Sequence, residues 1–296
     1  MQEERNMTRR KHKAGKFVWL LDDESMTAWI DEGTTGGAKV YTLPEKIVAE
    51  GKEYVVESVE IGAFYSEPAL EELFIPDCYT YIDEDSFKDC GKLRTVHIGF
   101  GLSNFFPWSF SCCPVERIIV SPENPNIRVS DDGTMMLSRD GSKLLSTFCP
   151  TEHVTVPDGV REIGACGLSC NSITRSITLP HSLEKIGSNG IYELGALKEL
   201  FVPEGVREIG TQGISWNPNL ELVDLPSTLH SLNWELFAED ESLRTLILRS
   251  HSVVDTNLSD VKYLAVENCR IVVPHDLVED YRRHPTWSTF KSVEAT

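Results

Sequence analysis

A register of prolines constrains this chain more than any other feature. Pro157, Pro180, Pro203 and Pro226 follow one another at intervals of twenty-three residues. In step with them run Val160, Leu183, Val206 and Leu229, and then Ile163, Ile186, Ile209 and Leu232. Leu168, Ile191, Ile214 and Phe237 make a third file, and Leu179, Val202, Leu225 and Leu248 a fourth. A short unit with a fixed period cannot bury its own apolar positions, so successive copies must stack and share a core. A solenoid is therefore expected from Pro157 to Leu248.

The period reaches back towards the N-terminus. A unit from about Glu53 to Ile75 carries Ile61-Gly62 and ends Leu70-x2-Leu73-x-Ile75. The next, Pro76 to Ile98, puts Ile82, Phe87, Cys90, Leu93, Val96 and Ile98 on the same positions. A third, from Gly99, reuses Leu102, Phe105, Phe110 and Cys113 and is one residue short before Val115, Ile118 and Val120. Each unit closes on an apolar-x-apolar pair, whose period of two belongs to a strand with both side chains inward. Such strands stack in parallel about 4.8 Å apart. After the isoleucine file stand Gly62, Gly164, Gly187 and Gly210, with Asp83 and Asn233 in other units. These residue types tolerate positive φ, so a left-handed turn is expected there. Phe106 breaks that rule and predicts a locally irregular rung.

The flanks read differently. Residues 1–16 are polar and basic and read as a flexible tail; 17–52 read as an N-terminal β cap, with two strands around an Asp-Asp-Glu-Ser turn. The solenoid runs over 53–268, interrupted at 121–156 by an insertion that reads as a β-hairpin closed by Arg139-Asp140-Gly141. Its last unit is compressed to Val261-x2-Leu264-x-Val266. Residues 269–296 read as a C-terminal cap, with a short helix from about Asp276 to His284 stopped by Pro285. Leu277, Tyr281, Trp287 and Phe290 are expected to fold over the last rung.

The unit Pro-x2-Val/Leu-x2-Ile-Gly-x3-apolar-x5-Leu-x2-Leu-x-Leu resembles the BspA-type leucine-rich repeat. It is plainest in Pro203 to Leu225 and Pro76 to Ile98, while the insertion and the ending resemble that family's Asp-Gly hairpin and C-terminal cap. The resemblance covers about residues 40–295. It departs from the family's Ala-Phe pair, kept only as Ala63-Phe64. It implies a β-rich repeat solenoid, a right-handed leucine-rich-repeat superhelix of about eight 23-residue units with a parallel β-sheet along one face, a hairpin insertion and terminal caps. It also implies a bacterial protein at the cell surface or outside the cell. Its partner would be a protein, of the host or of another bacterial surface, bound by a monomer. No catalytic residue and no cofactor are implied.

Composition narrows the classes. A net charge of −18 argues against a nucleic-acid backbone or an anionic membrane as partner and reads first as solubility. No apolar run spans a bilayer, and Met1 to Lys16 lacks the apolar stretch of a signal peptide. Eight cysteines are present. Cys78, Cys90, Cys113, Cys166 and Cys170 fall inside repeats and read as reduced core thiols rather than disulfides. Cys166-x3-Cys170 lacks a second ligand pair at zinc spacing, so no metal is expected. The histidines are scattered without paired spacing, no serine sits in a G-x-S-x-G elbow, and the acidic turns lack alternating oxygen ligands.

One stripe stands out. Between the two inward residues of each strand the outward position is Phe74, His97, Ile119, Thr178, Phe201, Asp224 and Ile247. Two residues earlier come Glu72, Thr95, Arg117, Ser176, Glu199, Leu222 and Thr245. Apolar groups on a nominally solvated face mark protein interfaces. The candidate partner-binding face is Phe74, His97, Ile119, Phe201, Leu222, Asp224 and Ile247. Against it stands the ordinary preference of aromatic and β-branched residues for strands. The alternative function is a carbohydrate-binding protein or enzyme with a pocket beside the insertion, near Trp108, Phe148 and His153.

Overall fold

The computed structural model describes residues 9–147, 151–232, 234–256 and 266–296. The chain is a β-solenoid that divides into two compact units, Met1–Arg139 and Asp140–Thr296. The expected positions Phe148, Cys149, Asn233, Val261 and Leu264 lie outside the described residues.

Unit 1 begins with an antiparallel meander of Arg10–Ala14, Phe17–Asp22 and Thr27–Glu32. Asp22 holds the second turn, its Oδ1 accepting the N–H groups of Glu24 and Ser25 at 2.8 and 3.2 Å. The first strand lies inside the stretch that reads as a flexible tail, and the reason is charge. Arg9 stacks 3.6 Å over the Trp29 ring, Arg10 pairs with Asp23 at 2.7 Å, and Lys11 pairs with Asp31 at 2.8 Å. Cations that look solvated in the sequence are matched to carboxylates of the cap.

Two walls rise from the meander. One runs in parallel from Thr27–Glu32 through Lys52–Val59 and Tyr81–Ile82 to Asn104–Phe105. The other stacks Val40–Thr42, Glu72–Ile75, Thr95–Ile98 and Arg117–Val120, with Leu73, Val96 and Ile118 in register and buried. Between the walls Phe64, Phe87 and Phe110 stack at 5.1 and 5.4 Å with planes 6° and 11° apart. In the insertion, Ile127–Val129 pairs antiparallel with Met135–Ser138 around a turn at Asp131–Thr134. The expected turn at Arg139–Gly141 falls at the boundary of the two units.

Two sequence expectations need correction. Val59, not Ile61, lies opposite Ile82, and Ile61 is 64% exposed. The Ile61-Gly62 pair is thus two residues out of the expected phase, while Leu73 and Ile75 keep it opposite Val96 and Ile98. Gly62 (φ 65°) then aligns with Asp85, Cys166, Asn189 and Gln212, all at φ of 50–55°. The left-handed file therefore lies two residues beyond the glycine file. Gly187 is small for a different reason: a Cβ there would stand 2.8 Å from Ala165 N in the rung below. A second left-handed file contains no glycine: Ser66, Asp89 and Cys112 in unit 1, then Cys170, Glu193, Trp216 and Glu239 in unit 2.

Unit 2 has three walls. Glu199–Phe201, Leu222–Leu225, Thr245–Leu248, Arg270–Val273 and Ser292–Ala295 form one parallel sheet. His153–Thr155 pairs with Ser176–Thr178 in the same direction. Glu162–Ile163, Lys185–Ile186 and Glu208–Ile209 form the second wall, and Leu168–Ser169, Ile191–Tyr192 and Ile214–Ser215 the third. The four apolar files are buried except for a half-buried Ile209. Each periodic proline needs no N–H partner of its own as the strand ends. Its carbonyl accepts the N–H three residues on, as Pro157 does from Val160 at 3.3 Å and Pro180 from Leu183 at 3.1 Å. The helix Val278–Arg283 closes the last rung, where the Trp287 indole donates to Val254 O and Val254 N–H donates to the Tyr281 hydroxyl, both at 3.0 Å. Tyr281, Trp287 and Phe290 are buried there, as expected; Leu277 is only half-buried.

Candidate functional site

The outward stripe exists, in each unit by itself. In unit 1 the strand registers place Phe74, His97 and Ile119 in one line across three rungs. The Phe74 and His97 rings stack at 4.0 Å with planes 8° apart, and His97 Nε2 lies 2.7 Å from Glu72 Oε1 on the neighbouring strand. Phe74 and His97 are thereby half-buried against one another. Ile119 is the more exposed of the line at 37%.

In unit 2 Phe201, Asp224 and Ile247 form the corresponding line, and Leu222 lies in the adjacent column between Glu199 and Thr245. Phe201 is 54% exposed on a short strand whose only inward side chain is Leu200. Asp224 has a different role. Arg249 Nε lies 2.8 Å from its Oδ1 while Arg249 NH1 pairs with Glu204 at 3.0 Å. The same guanidinium donates to Val202 O at 2.7 Å and Leu225 O at 3.3 Å. Burial pushes the Asp224 carboxyl upward and Arg249 opposes it. One arginine thus ties three rungs together on the strand ends next to the exposed phenyl ring. Nothing in the repeat pattern marks Arg249, which lies just past the last apolar file.

Charged side chains on the flanks of both stripes pair with the next rung. Arg161–Glu184 and Lys185–Glu208 meet at 2.7 Å, Lys198–Glu221 and Arg94–Glu116 at 3.3 Å. These pairs link exposed side chains of neighbouring rungs and leave the net charge of −18 unchanged.

The residues of the alternative pocket are not assembled by any described geometry. Trp108 lies in a 3-10 turn, Pro107–Phe110, of unit 1. His153 belongs to unit 2, where its Nδ1 meets Ser176 Oγ at 2.8 Å, and Phe148 lies outside the described residues. None of the seven described cysteines is joined to another in a disulfide. Cys90, Cys113 and Cys166 are buried as core thiols, whereas Cys170 is exposed, because it occupies the second left-handed file at the outside of its turn. No helix among the described residues is long and apolar enough to cross a membrane, and no group of three metal-binding side chains occurs among them.

Comparison with known proteins places this geometry. The BspA type leucine rich repeat region matches in six copies, over residues 56–130 and 142–271. Among solved structures the chain is similar to the pneumococcal vaccine antigen PcpA, at 15% identity and a TM-score of 0.53, over 97% of this chain and 98% of that one. It is similar also to a leucine-rich repeat protein of Eubacterium ventriosum, at 13% identity and a TM-score of 0.53, over 95% and 83% of the two chains. At such identities these structures establish the fold alone. No curated protein sequence matches significantly.

Proposed function

Because this chain belongs to the BspA type leucine-rich repeat family, we propose that it is a non-catalytic protein-interaction or adhesion module presenting the outward faces of its parallel sheets to a protein partner. The observation that carries this reading is Phe201. A phenyl ring more than half exposed, on a rung tied to its neighbours by Arg249, offers a fixed apolar surface. Ile119 and the stacked Phe74–His97 pair give unit 1 a smaller surface of the same kind. Paired ions along the flanks supply the polar rim that such interfaces carry.

The test is affinity capture from host and bacterial extracts, with wild type beside the Phe74→Asp, Phe201→Asp double variant. Phe201 is exposed and Phe74 gives up only its stack on His97, so thermal unfolding of the variant, run beside wild type, separates lost binding from lost fold. A protein retained by wild type and lost by the variant supports the reading. Equal retention by both would remove these faces from the interaction.

A further inference from the structure

Arg128 and Arg139 belong to the minority of described arginines without a carboxylate partner, with Arg117, Arg207 and Arg244, and these two share one cleft. Acidic side chains outnumber basic ones by 46 to 28. Arginines of both units find carboxylates, among them Arg10 with Asp23, Arg94 with Glu116, Arg161 with Glu184 and Arg270 with Glu294. Arg128 and Arg139 have no ion pair among the described residues. Arg128 NH1 reaches only Val129 O at 3.4 Å, and Arg139 NH2 donates to Pro122 O at 3.0 Å. A guanidinium has five N–H donors, so each keeps most of its fork free.

Both line one open cleft of about 320 Å³ with Ile119, Pro122 and Val129, and none of its described lining residues carries a carboxylate. Ile119 is the exposed end of the unit 1 stripe. Arg117, two residues before it on the same strand face, is exposed and likewise has no ion pair among the described residues. The cleft is built on a fixed floor. Asn124 is fully buried; its Nδ2 donates to Gly99 O and Leu102 O at 2.9 and 3.0 Å, and its Oδ1 accepts from Asn126 N and Ile127 N at 2.9 and 3.0 Å. Arg139 N–H donates to Asn126 O at 2.7 Å. The two guanidiniums therefore spring from backbone that is already ordered, which lowers the cost of binding.

We infer that this cleft is a docking site for an acidic peptide segment of a partner protein, its carboxylates taken by Arg128 and Arg139 and a neighbouring aliphatic side chain set against Ile119 and Val129. Guanidinium forks match carboxylates in bidentate geometry, and such charge-assisted bonds are the strong ones. The volume suits a few side chains rather than a folded domain. A polyanion such as nucleic acid would meet the field of the whole chain at −18, whereas a segment with two or three carboxylates meets chiefly the local cations. The inference rests on the protein-interaction reading and gives it a second, chemically distinct contact.

The probe is a synthetic blocked hexapeptide of alternating acidic residues and isoleucine, titrated calorimetrically into the full chain. A peptide with lysine in place of the acidic residues and inorganic phosphate serve as comparisons. Saturable one-to-one binding is expected for the acidic peptide only, weakened about tenfold or more in the Arg128→Gln, Arg139→Gln double variant. Affinity should be unchanged in Phe201→Asp, which reports on the proposed face and not on the cleft. No saturable heat at millimolar peptide, or equal affinity in the arginine variant, overturns the inference. So does phosphate binding as tightly as the peptide, which would make the cleft a simple anion site. Loss of partner capture by the Phe74→Asp, Phe201→Asp variant, together with no saturable binding of the acidic peptide to wild type, would overturn the cleft and leave the sheet-face reading standing.

Discussion

The two units solve one position of the repeat in different ways. In unit 1 the core file holds Phe64, Phe87 and Phe110, and the chain there runs as turns, ending in the 3-10 turn Pro107–Phe110. In unit 2 the same file holds Leu168, Ile191 and Ile214, and the chain runs as short parallel strands. The residue just before differs with it. Ser86 and Ser109 turn their hydroxyls onto one carbonyl of the turn, Ser86 Oγ donating to Asp83 O at 2.7 Å and Ser109 Oγ to that same oxygen at 2.8 Å. Gly167, Gly190 and Gly213 have no side chain at all, and a Cβ at Gly190 would come within 2.6 Å of Ile186 Cγ2. Phe237, late in unit 2, returns to the ring-and-turn solution with the 3-10 turn Trp234–Phe237. A ring is paired with a turn and an aliphatic side chain with a strand; the period is indifferent to which.

That contrast is broken most severely at Phe87, fully buried between two stacked rings. Phe87→Ala should cost about 3–5 kcal/mol, and the corresponding Ile191→Ala about 2–4 kcal/mol, by denaturant unfolding. An Ile191→Ala loss as large as that of Phe87→Ala would deny the ring stack any special weight. Next comes Gly190→Ser, which puts the unit 1 residue into unit 2. Its Cβ meets Gly187 O at 2.8 Å as well as Ile186 Cγ2, so a loss of about 1–3 kcal/mol is expected. A neutral Gly190→Ser would mean that the two walls are interchangeable.

Much of this was open to reading in the sequence. The four files from Val160 to Leu248 repeat in residue type, and burial follows them almost without exception. The inward and outward alternation was legible too, so Phe201 could be placed on the outside before any coordinates. What failed depends on distances between rungs. Ile61 resembles a core residue, and only its strand partner shows that Val59 holds that place. The glycines at 164, 187 and 210 resemble left-handed residues, yet they are there because the rung below is close. The true left-handed files mix Gly62, Asn189 and two aspartates with Gln, Ser, Cys, Glu and Trp, so no residue type marks them. Arg9, Arg10 and Lys11 resemble a solvated tail because their partners, Glu60, Asp23 and Asp31, are far along the chain. Arg249 was missed for the same reason.

A smaller effect, of opposite sign, is expected at Asp240. It stands in the column three residues past the core file, after Asn171 and Asn217, and is fully buried. Its Oδ1 accepts the Asn217 N–H at 2.7 Å, while Oδ2 has no partner among the described residues. Burial raises its carboxyl well above the ordinary range, against the opposing bond from Asn217. The folded state therefore holds the proton more tightly than the unfolded chain, whose value is about 4. Its contribution is greatest in acid and declines as pH rises from that value towards the folded one. Asp240→Asn, which puts in the side chain the column already uses, should raise Tm at pH 7 by a few degrees and converge with wild type near pH 4. A lower Tm at pH 7 would show that the carboxylate is needed there.

The smallest effect separates the units by their surface. Lys143–Glu162 and Lys185–Glu208 each meet at 2.7 Å across the strands of the second wall in unit 2. At the matching positions unit 1 has Ser58, Tyr81 and Asn104, which carry no charge ladder. The Glu208 carboxylate holds the Lys185 ammonium above its ordinary value, but the pair is exposed, and exposed pairs are screened and loosely held. Lys185→Met keeps the stem and removes the charge. Its Tm should fall by no more than about a degree or two in low salt and match wild type in molar salt. A larger, salt-independent fall would mean that the Lys185–Glu208 pair joins the two strands out of reach of salt, so that the second wall of unit 2 depends on charge where the matching wall of unit 1 has none.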